Sequence, residues 1–351
     1  MPQPNNEPIL GFAPGSQERA DLQAEMDRQM GEVIEIPCII NGEEVFTGTT
    51  TTQVIPHNHG HVLANVHLAG RAEMEAACEA AVNAQQAWID LGLEGRCAIF
   101  ERCADLLAGD WRMRVNAATM LNQSKTAFQA EIDSACELID FWRFNCHYAR
   151  GFHDDFQPLV SPDGVQNSTE IRPLEGFVLS ITPFNFTSIA ANLPSAPAIV
   201  GCTGLWKPSR NSYHSNYVLM QLMMEAGLPP GVINFLPGSG AEITEVALAN
   251  PDFAGLHFTG STAVFQGLWQ EIGLALPNLR SYPRIVGETG GKDFVVAHPD
   301  CDRQGLLVAL LRGAFEYQGQ KCSAASRAYV PSSVWDAIRD DLVSEISKIK
   351  M

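Results

Sequence analysis

The middle of the chain alternates between two patterns of hydrophobic and polar residues. Short apolar runs that end in glycine, proline or a polar residue are each followed by a segment with helical period. The predicted strands are GFVLSIT (176–182), GLWKPS (204–209), VINFLPG (232–238) and GLHFTGS (255–261). Strands that alternate with helices at this spacing predict a parallel, doubly wound sheet of the α/β class.

The flanking regions follow other patterns. A helix is predicted from Ser16 to Met30, a strand hairpin between Ile34 and Leu68, and three or four amphipathic helices between Arg71 and Phe152. Proline, glycine and charge then break the helical pattern, and residues 151–172 are predicted to form an exposed strand. A second α/β unit is predicted from residue 290, with the pattern strand, helix, cysteine loop, strand, helix.

Composition narrows the class of protein. With 351 residues, 46% of them hydrophobic, the chain is long enough for about two domains. A net charge of −17 argues against nucleic acid or an anionic membrane as a partner, and no apolar run reaches the ~18 residues of a membrane span. The nine cysteines are odd in number and lack CxxC spacing, which indicates a reduced, intracellular protein.

Polar side chains follow several of the predicted parallel strands. Asn185 follows the first strand, Lys207 ends the second, and FTGS (258–261) joins the last strand to a helix. Ligands bind beyond the carboxyl ends of strands in open parallel sheets, and a helix N-terminus suits a phosphate. Each feature alone also fits an ordinary turn or a solvated strand end.

Two further motifs could carry chemistry. Glu288 lies beside the glycines of GETGGK, where it is either a general base or a surface glutamate. Cys322 lies in the polar loop GQKCS, where a nucleophilic thiol fits better than a buried hydrophobic one. The HNHGH segment (57–61) is better explained as an exposed hairpin than as a metal site, so no metal is expected.

The succession PFN, KPS, FTGS, ETGGK and GQKCS resembles the aldehyde dehydrogenase superfamily in order and spacing. The longer strings AEIDSACELIDFWRFN, EGFVLSITPFNFTSI and AFEYQGQKCSAASRAYVP resemble one branch, the 1-pyrroline-5-carboxylate dehydrogenases. That branch oxidises glutamate 5-semialdehyde to glutamate with NAD in proline catabolism. The resemblance therefore implies NAD as the cofactor and a small aldehyde as the substrate.

The resemblance also implies roles for particular residues. Cys322 would attack the aldehyde, and the Asn185 amide with the Cys322 N–H would hold the oxyanion. After hydride transfer to the nicotinamide, Glu288 would activate the water that hydrolyses the thioester. Phe186 would wall the aldehyde pocket, and Ser323 would help to hold the substrate carboxylate. The implied cofactor-binding residues are Thr182, Lys207, Gly260, Ser261, Thr262, Ala263 and Val264.

The same resemblance divides the chain into an N-terminal arm (1–33), an NAD-binding domain (34–289) and a partial catalytic domain (290–351). Residues 151–172 would be its oligomerisation excursion. Members of the superfamily are longer, so we expect a C-terminally truncated chain whose homodimer or higher oligomer is impaired. A relative acting on another aldehyde and a catalytically silent fragment are the alternatives. A cytoplasmic location is expected because no transit peptide is evident, and the mitochondrial matrix is the alternative.

Overall fold

The computed structural model describes residues 3–157 and 160–350. They form two compact units, one that ends at Glu288 and one that begins at Thr289. The helices are α1 (Gln17–Met30), α2 (Arg71–Asp90), α3 (Gly92–Ala108), α4 (Arg112–Gln123), α5 (Ala127–Ala130), α6 (Glu137–Asp155), α7 (Thr187–Ile199), α8 (Tyr213–Glu225), α9 (Gly240–Ala249), α10 (Thr262–Ala275), α11 (Arg303–Phe315) and α12 (Ser332–Ser347). The strands are β1 (Ile34–Ile36), β2 (Cys38–Ile40), β3 (Glu43–Val45), β4 (Thr50–Ile55), β5 (Asn58–His67), β6 (Phe177–Ile181), β7 (Thr203–Lys207), β8 (Ile233–Phe235), β9 (Phe253–Thr259), β10 (Arg284–Glu288), β11 (Phe294–Val296) and β12 (Arg327–Tyr329).

The main sheet of the first unit has the order β10-β9-β6-β7-β8-β2-β3. Strands β10, β9, β6, β7 and β8 run parallel, and β2 and β3 add an antiparallel edge. The chain builds outward from β6 through β7 to β8, and then returns to the other side of β6 for β9 and β10. The predicted α/β class with a doubly wound parallel sheet is confirmed, and its topological switch point lies between β6 and β9.

Helices cover both faces of this sheet because its strands carry apolar side chains on both faces. On one face, Phe177 and Leu205 pack in a cluster with residues of α2, α9 and α10. On the other face, Trp206 and Phe235 pack with residues of α3, α6, α7 and α8. Parallel strands buried in this way appear in sequence as continuous hydrophobic runs, and this explains why these strands were predictable.

The predicted hairpin between residues 34 and 68 is present as β4 and β5, which pair antiparallel from Thr50 opposite His67. β1 adds to β5 in parallel and completes a three-stranded sheet. Gly227 caps the end of α8. Its φ of +96° lets the N–H groups of Gly227 and Leu228 donate to the carbonyls of Met224 and Met223, a Schellman cap.

The second unit consists of two parallel strands, β11 and β12, with α11 and α12. The two helices share a small core formed by Leu306, Leu307, Leu310, Val334, Ile338 and Leu342. This is the predicted order of strand, helix, cysteine loop, strand and helix. Within the described residues, no helix of either unit is long and apolar enough to cross a membrane.

One local prediction was wrong, and one strand was not predicted. The exposed strand predicted at 151–172 is absent from its described part, since α6 continues to Asp155 and no strand follows before β6. In this segment, turns and side-chain hydrogen bonds hold the backbone instead. For example, the Thr169 N–H donates to Gln157 Oε1 at 3.1 Å. Conversely, β10 was not predicted. It is a mostly exposed strand at the end of the sheet, so it lacks the apolar run that identified the others.

Candidate active site

Register brings several candidate residues to one edge of the main sheet. Ile181, the last residue of β6, pairs with Lys207 on one side and with Phe258 on the other. Thr259, the last residue of β9, pairs with Glu288, the last residue of β10. Four parallel strands therefore end together around the switch point, where open α/β sheets bind their ligands.

Thr182 is the first residue beyond β6 and is buried. Its N–H donates to the carbonyl of Lys207 at 3.2 Å, which extends the pairing of β6 with β7 by one residue. The Trp206 indole N–H donates to Thr182 Oγ1 at 3.1 Å. Trp206 thus fixes the hydroxyl group of a predicted cofactor residue, a role that sequence analysis missed although the tryptophan directly precedes Lys207.

Lys207 ends β7 with a half-buried side chain. Burial lowers the pKa of its ammonium group below the usual range, because desolvation disfavours the charged form. Within the parts of the chain that the structure describes, no carboxylate or carbonyl accepts a hydrogen bond from this ammonium. A partly desolvated cation at a ligand-binding edge is available to a hydroxyl group or an anion.

The start of α10 adjoins this edge. Ser261 caps the helix by accepting a hydrogen bond from the Val264 N–H at 3.4 Å, and the first turn contains no acidic residue. The Gly260 N–H donates to the carbonyl of Glu288 at 3.1 Å, which ties the end of β10 to this turn. Residues 261–264, including the predicted Thr262 and Ala263, are exposed. The helix N-terminus therefore offers open N–H groups and a partial positive charge.

Asn185 and Phe186 form the entry to α7. Asn185 is half-buried, and Phe186 is the buried residue directly before the first helical residue. The ammonium nitrogen of Lys125 lies 4.4 Å from the centroid of the Phe186 ring. Lys125 is itself buried, and no sequence signal pointed to it.

Glu288 is the last residue of β10 and is exposed. Gly287, just before it, is required for packing. A Cβ atom at Gly287 would lie 2.2 Å from the ring of Phe265, which stacks on Phe258 with centroids 5.5 Å apart. The glycine thus lets an aromatic pair lie against the strand that presents Glu288.

Cys322 and Ser323 belong to the second unit, and the other predicted site residues belong to the first. Cys322 is half-buried and Ser323 is exposed. The three residues Tyr317, Gln318 and Gly319 in the turn before them have φ values of 49°, 53° and 70°. Two consecutive non-glycine residues in the left-handed region are strained, and such strain is concentrated at functional sites.

The glycine motif contacts the cysteine loop within the second unit. A Cβ atom on Gly291 would lie only 1.6 Å from the carbonyl oxygen of Cys322. The Ser326 N–H and hydroxyl group both donate to the carbonyl of Asp293, at 3.0 and 3.2 Å. The segment after Glu288 therefore supports the backbone at Cys322 and just after it, and only glycine fits at the point of closest approach.

The environments of the nine thiols differ. Seven cysteines are buried, whereas Cys301 and Cys322 are half-buried. Burial raises the pKa of the Cys38, Cys78 and Cys136 thiols to about 12, so these remain protonated at neutral pH. Exposure therefore favours Cys322 over most other thiols as a nucleophile.

The histidines of the β4–β5 turn show no metal-binding arrangement. His57 Nδ1 lies 2.7 Å from Ser124 Oγ, at the end of α4. Among residues 3–157 and 160–350, no group of three or more histidine, cysteine or acidic side chains is placed to hold a metal ion.

A doubly wound α/β sheet with a lysine and a helix N-terminus at its ligand-binding edge is typical of nucleotide-binding proteins. The model of the aldehyde dehydrogenase family matches residues 46–351, and the chain belongs to this family.

Among curated proteins, the chain is 47% identical over 353 residues to the delta-1-pyrroline-5-carboxylate dehydrogenase of Agaricus bisporus. It is 43% identical over 346 residues to the mitochondrial human protein of that name. The alignments cover 100% and 99% of this chain, but 64% and 61% of those relatives. The chain thus spans less than two thirds of their length.

Solved structures give the same result. The NAD-bound Mycobacterium tuberculosis delta-pyrroline-5-carboxylate dehydrogenase matches with a TM-score of 0.97 and 50% identity, over 100% of this chain and 65% of that one. A Thermus 1-pyrroline-5-carboxylate dehydrogenase with bound NAD matches with a TM-score of 0.91 and 28% identity, over 99% of this chain and 67% of that one.

Proposed function

We propose that this chain binds NAD and carries the nucleophile of an enzyme that oxidises L-glutamate 5-semialdehyde to glutamate. The observation that carries the proposal is the match, at 50% identity and over the whole chain, to a pyrroline-5-carboxylate dehydrogenase that is bound with NAD. A small aldehyde is the proposed partner. Human and Dictyostelium relatives are named as mitochondrial, and others are not, so the cytoplasmic location stays a prediction.

The residues at the sheet edge fit a dinucleotide. Lys207 provides a partly desolvated ammonium that can donate to ribose hydroxyl groups, and burial has already lowered its pKa. The α10 N-terminus, with Gly260 and Ser261 before it, provides N–H groups for a pyrophosphate. Thr182 lies between them at the end of β6. NAD, when bound, supplies the hydride acceptor of the reaction.

The chain's own residues would then act in a fixed order. The Cys322 thiolate forms a bond to the aldehyde carbon, and the Asn185 amide with the Cys322 N–H donates to the resulting oxyanion. Once the carbon is oxidised, Cys322 holds the acyl group as a thioester. Glu288 takes a proton from the water that attacks this thioester, so that glutamate leaves and the thiolate is restored. Phe186 and Ser323 would contact the substrate.

NAD binding to the chain tests the first part of this proposal. We expect Lys207→Ala to weaken NAD binding about tenfold or more, since a hydrogen bond to a charged donor contributes ~1.5–3 kcal/mol. Isothermal titration calorimetry measures the dissociation constants. Lys348→Ala removes the same charge from an exposed lysine that pairs with Glu345, and it should leave binding unchanged. No binding at millimolar NAD, or equal weakening in both variants, would contradict the cofactor assignment.

A further inference from the structure

The buried lysine behind Phe186 has an unusual environment. The Lys125 side chain has no exposed surface, its ammonium donates to Asp133 Oδ2 at 2.6 Å, and it lies 4.4 Å from the Phe186 ring centroid. Asp133 is likewise buried. A buried charge pair is weak evidence for stability, because desolvation offsets much of the attraction. Its place beside Phe186 points to another role.

Local structure directs Lys125 inward. Ser124 ends α4 in the left-handed region, with φ of 58°, so the chain turns at this point instead of continuing as a helix. Thr126 then caps α5 by accepting a hydrogen bond from the Gln129 N–H at 3.3 Å. Lys125 is thus held between a helix end and a helix start, with little freedom to reach solvent.

Asp133 is placed by a π-helical segment, Glu131–Cys136, between α5 and α6. π-Helices are rare and often occur at functional sites, because their wider turn changes the direction of successive side chains. From this short segment Glu131 pairs with Arg112, while Asp133 pairs with Lys125. Glu137, directly after the segment, accepts a hydrogen bond from Ser188 in the first turn of α7.

The same first turn is held from α4. Thr187 Oγ1 lies 2.8 Å from Thr119 Oγ1 and accepts from Gln123 Nε2 at 2.7 Å. The N–H of Ala190 donates to the carbonyl of Phe186 at 3.1 Å. Side chains from α4, the α4–α5 turn and the start of α6 therefore converge on residues 186–188, and Asn185 is the residue immediately before them.

We infer that Lys125, held by Asp133, is a positioning residue that fixes Phe186 and, through the backbone, the Asn185 amide. This inference rests on the proposed function, in which Asn185 donates to the oxyanion and Phe186 walls the aldehyde pocket. A cation over an aromatic face is attracted by the ring quadrupole, most strongly where water is excluded. The attraction to Lys125 fixes the plane of the Phe186 ring. Because Phe186 directly precedes α7, the fixed ring also holds the backbone at the start of this helix.

Hydrogen exchange tests the positioning without requiring catalysis. Lys125→Met keeps the length of the side chain and removes its charge. We expect exchange of the Ala190 amide to accelerate about tenfold in Lys125→Met and in Asp133→Asn, and to return toward the original rate in Lys125→Arg. Arg112→Met is the matched control. Arg112 lies on α4 and pairs with Glu131 of the same π-helix, so this change removes another buried cation without touching Phe186, and Ala190 exchange should not change.

A kinetic measurement connects the positioning to the reaction. With glutamate semialdehyde and NAD, we expect Lys125→Met to lower kcat at least tenfold while the KM for NAD stays constant, and Lys125→Arg to restore part of kcat. If Lys125→Met fails to fold, Ala190 exchange in Phe186→Leu provides the comparison, since this change removes the ring and keeps the ion pair.

Unchanged Ala190 exchange in Lys125→Met, or equal acceleration in Arg112→Met, would overturn the inference. So would accelerated exchange with unchanged kcat, which would leave Lys125 a structural residue only. If the unmodified chain binds NAD but oxidises no semialdehyde, the proposed function fails on its own. The role of Lys125 in the reaction then fails with it, whatever the exchange rates.

Discussion

Replacing Gly291 by alanine is a direct test of how the glycine motif supports the cysteine loop. The added Cβ atom would lie 1.6 Å from the Cys322 carbonyl oxygen and 2.2 Å from Asp293 Oδ2. The Asp293 side chain can rotate away, but the Cys322 carbonyl is backbone. Carbon and oxygen atoms rarely approach within 3 Å, so the two backbone segments would have to separate by about 1.4 Å.

Forcing atoms into a packed site costs ~1–3 kcal/mol, and the loss should appear as lower stability of the second unit. For a small unit with a urea slope of ~1 kcal/mol per molar, the midpoint should fall by about 1 M or more. The assay is hydrogen exchange of the α11 and α12 peptides across a urea series, read by mass spectrometry, because these helices form the core of the second unit. The catalytic consequence should be larger than the stability loss, since a 1 Å misplacement of a reacting group can cost about 10²-fold in rate.

The adjacent glycine provides the control. A Cβ atom on Gly290 would meet no atom within 4 Å, so Gly290→Ala should behave like the unmodified chain. Equal urea midpoints for Gly291→Ala and Gly290→Ala would refute the argument, because they would show that the Cys322 backbone does not need this close approach.

Two further predictions concern the reaction and pH. In the proposed mechanism, Glu288→Gln should lower steady NADH production by ~10²–10⁴-fold but keep an initial burst. Cys322→Ala should form no NADH. Loss of the burst in Glu288→Gln would mean that the carboxylate also activates the thiol. Burial, with a smaller contribution from Arg28 and Arg114 against Glu25, lowers the pKa of His214 to about 4. The unfolded chain therefore binds a proton at this residue near pH 6.5 and the folded chain does not, so stability should fall by about 2 kcal/mol between pH 7 and pH 5. In urea unfolding, His214→Phe should remove that part of the decrease, and an equal decrease in both proteins would contradict the assignment.

Sequence patterns were most informative where the type of a residue follows from its immediate surroundings. Strands β6 to β9 are apolar because both of their faces are covered, and Gly227 is a glycine because its φ is positive. The end of β10 was harder to predict. Its five residues are mostly exposed, and its place in the sheet depends on pairing with β9, which is a tertiary contact. Without an apolar run, RIVGE has the same pattern as the loop that follows it.

The buried ion pairs could not be predicted from the sequence either, for a different reason. Glu131, Asp133 and Glu137 lie in an alanine-rich stretch whose period fits an amphipathic helix, and carboxylates in such a helix ordinarily face water. The wider π turn shifts the helical phase, so Glu131 and Asp133 are directed into the protein, where Arg112 and Lys125 meet them. Those cations lie on α4 and in the turn after it, so no regular spacing in the sequence predicts which charges pair. Because each pair has one member in the π-helix, that single irregular turn both fastens the N-terminal segment through Arg112 and Glu7 and supports the entry to α7 through Lys125.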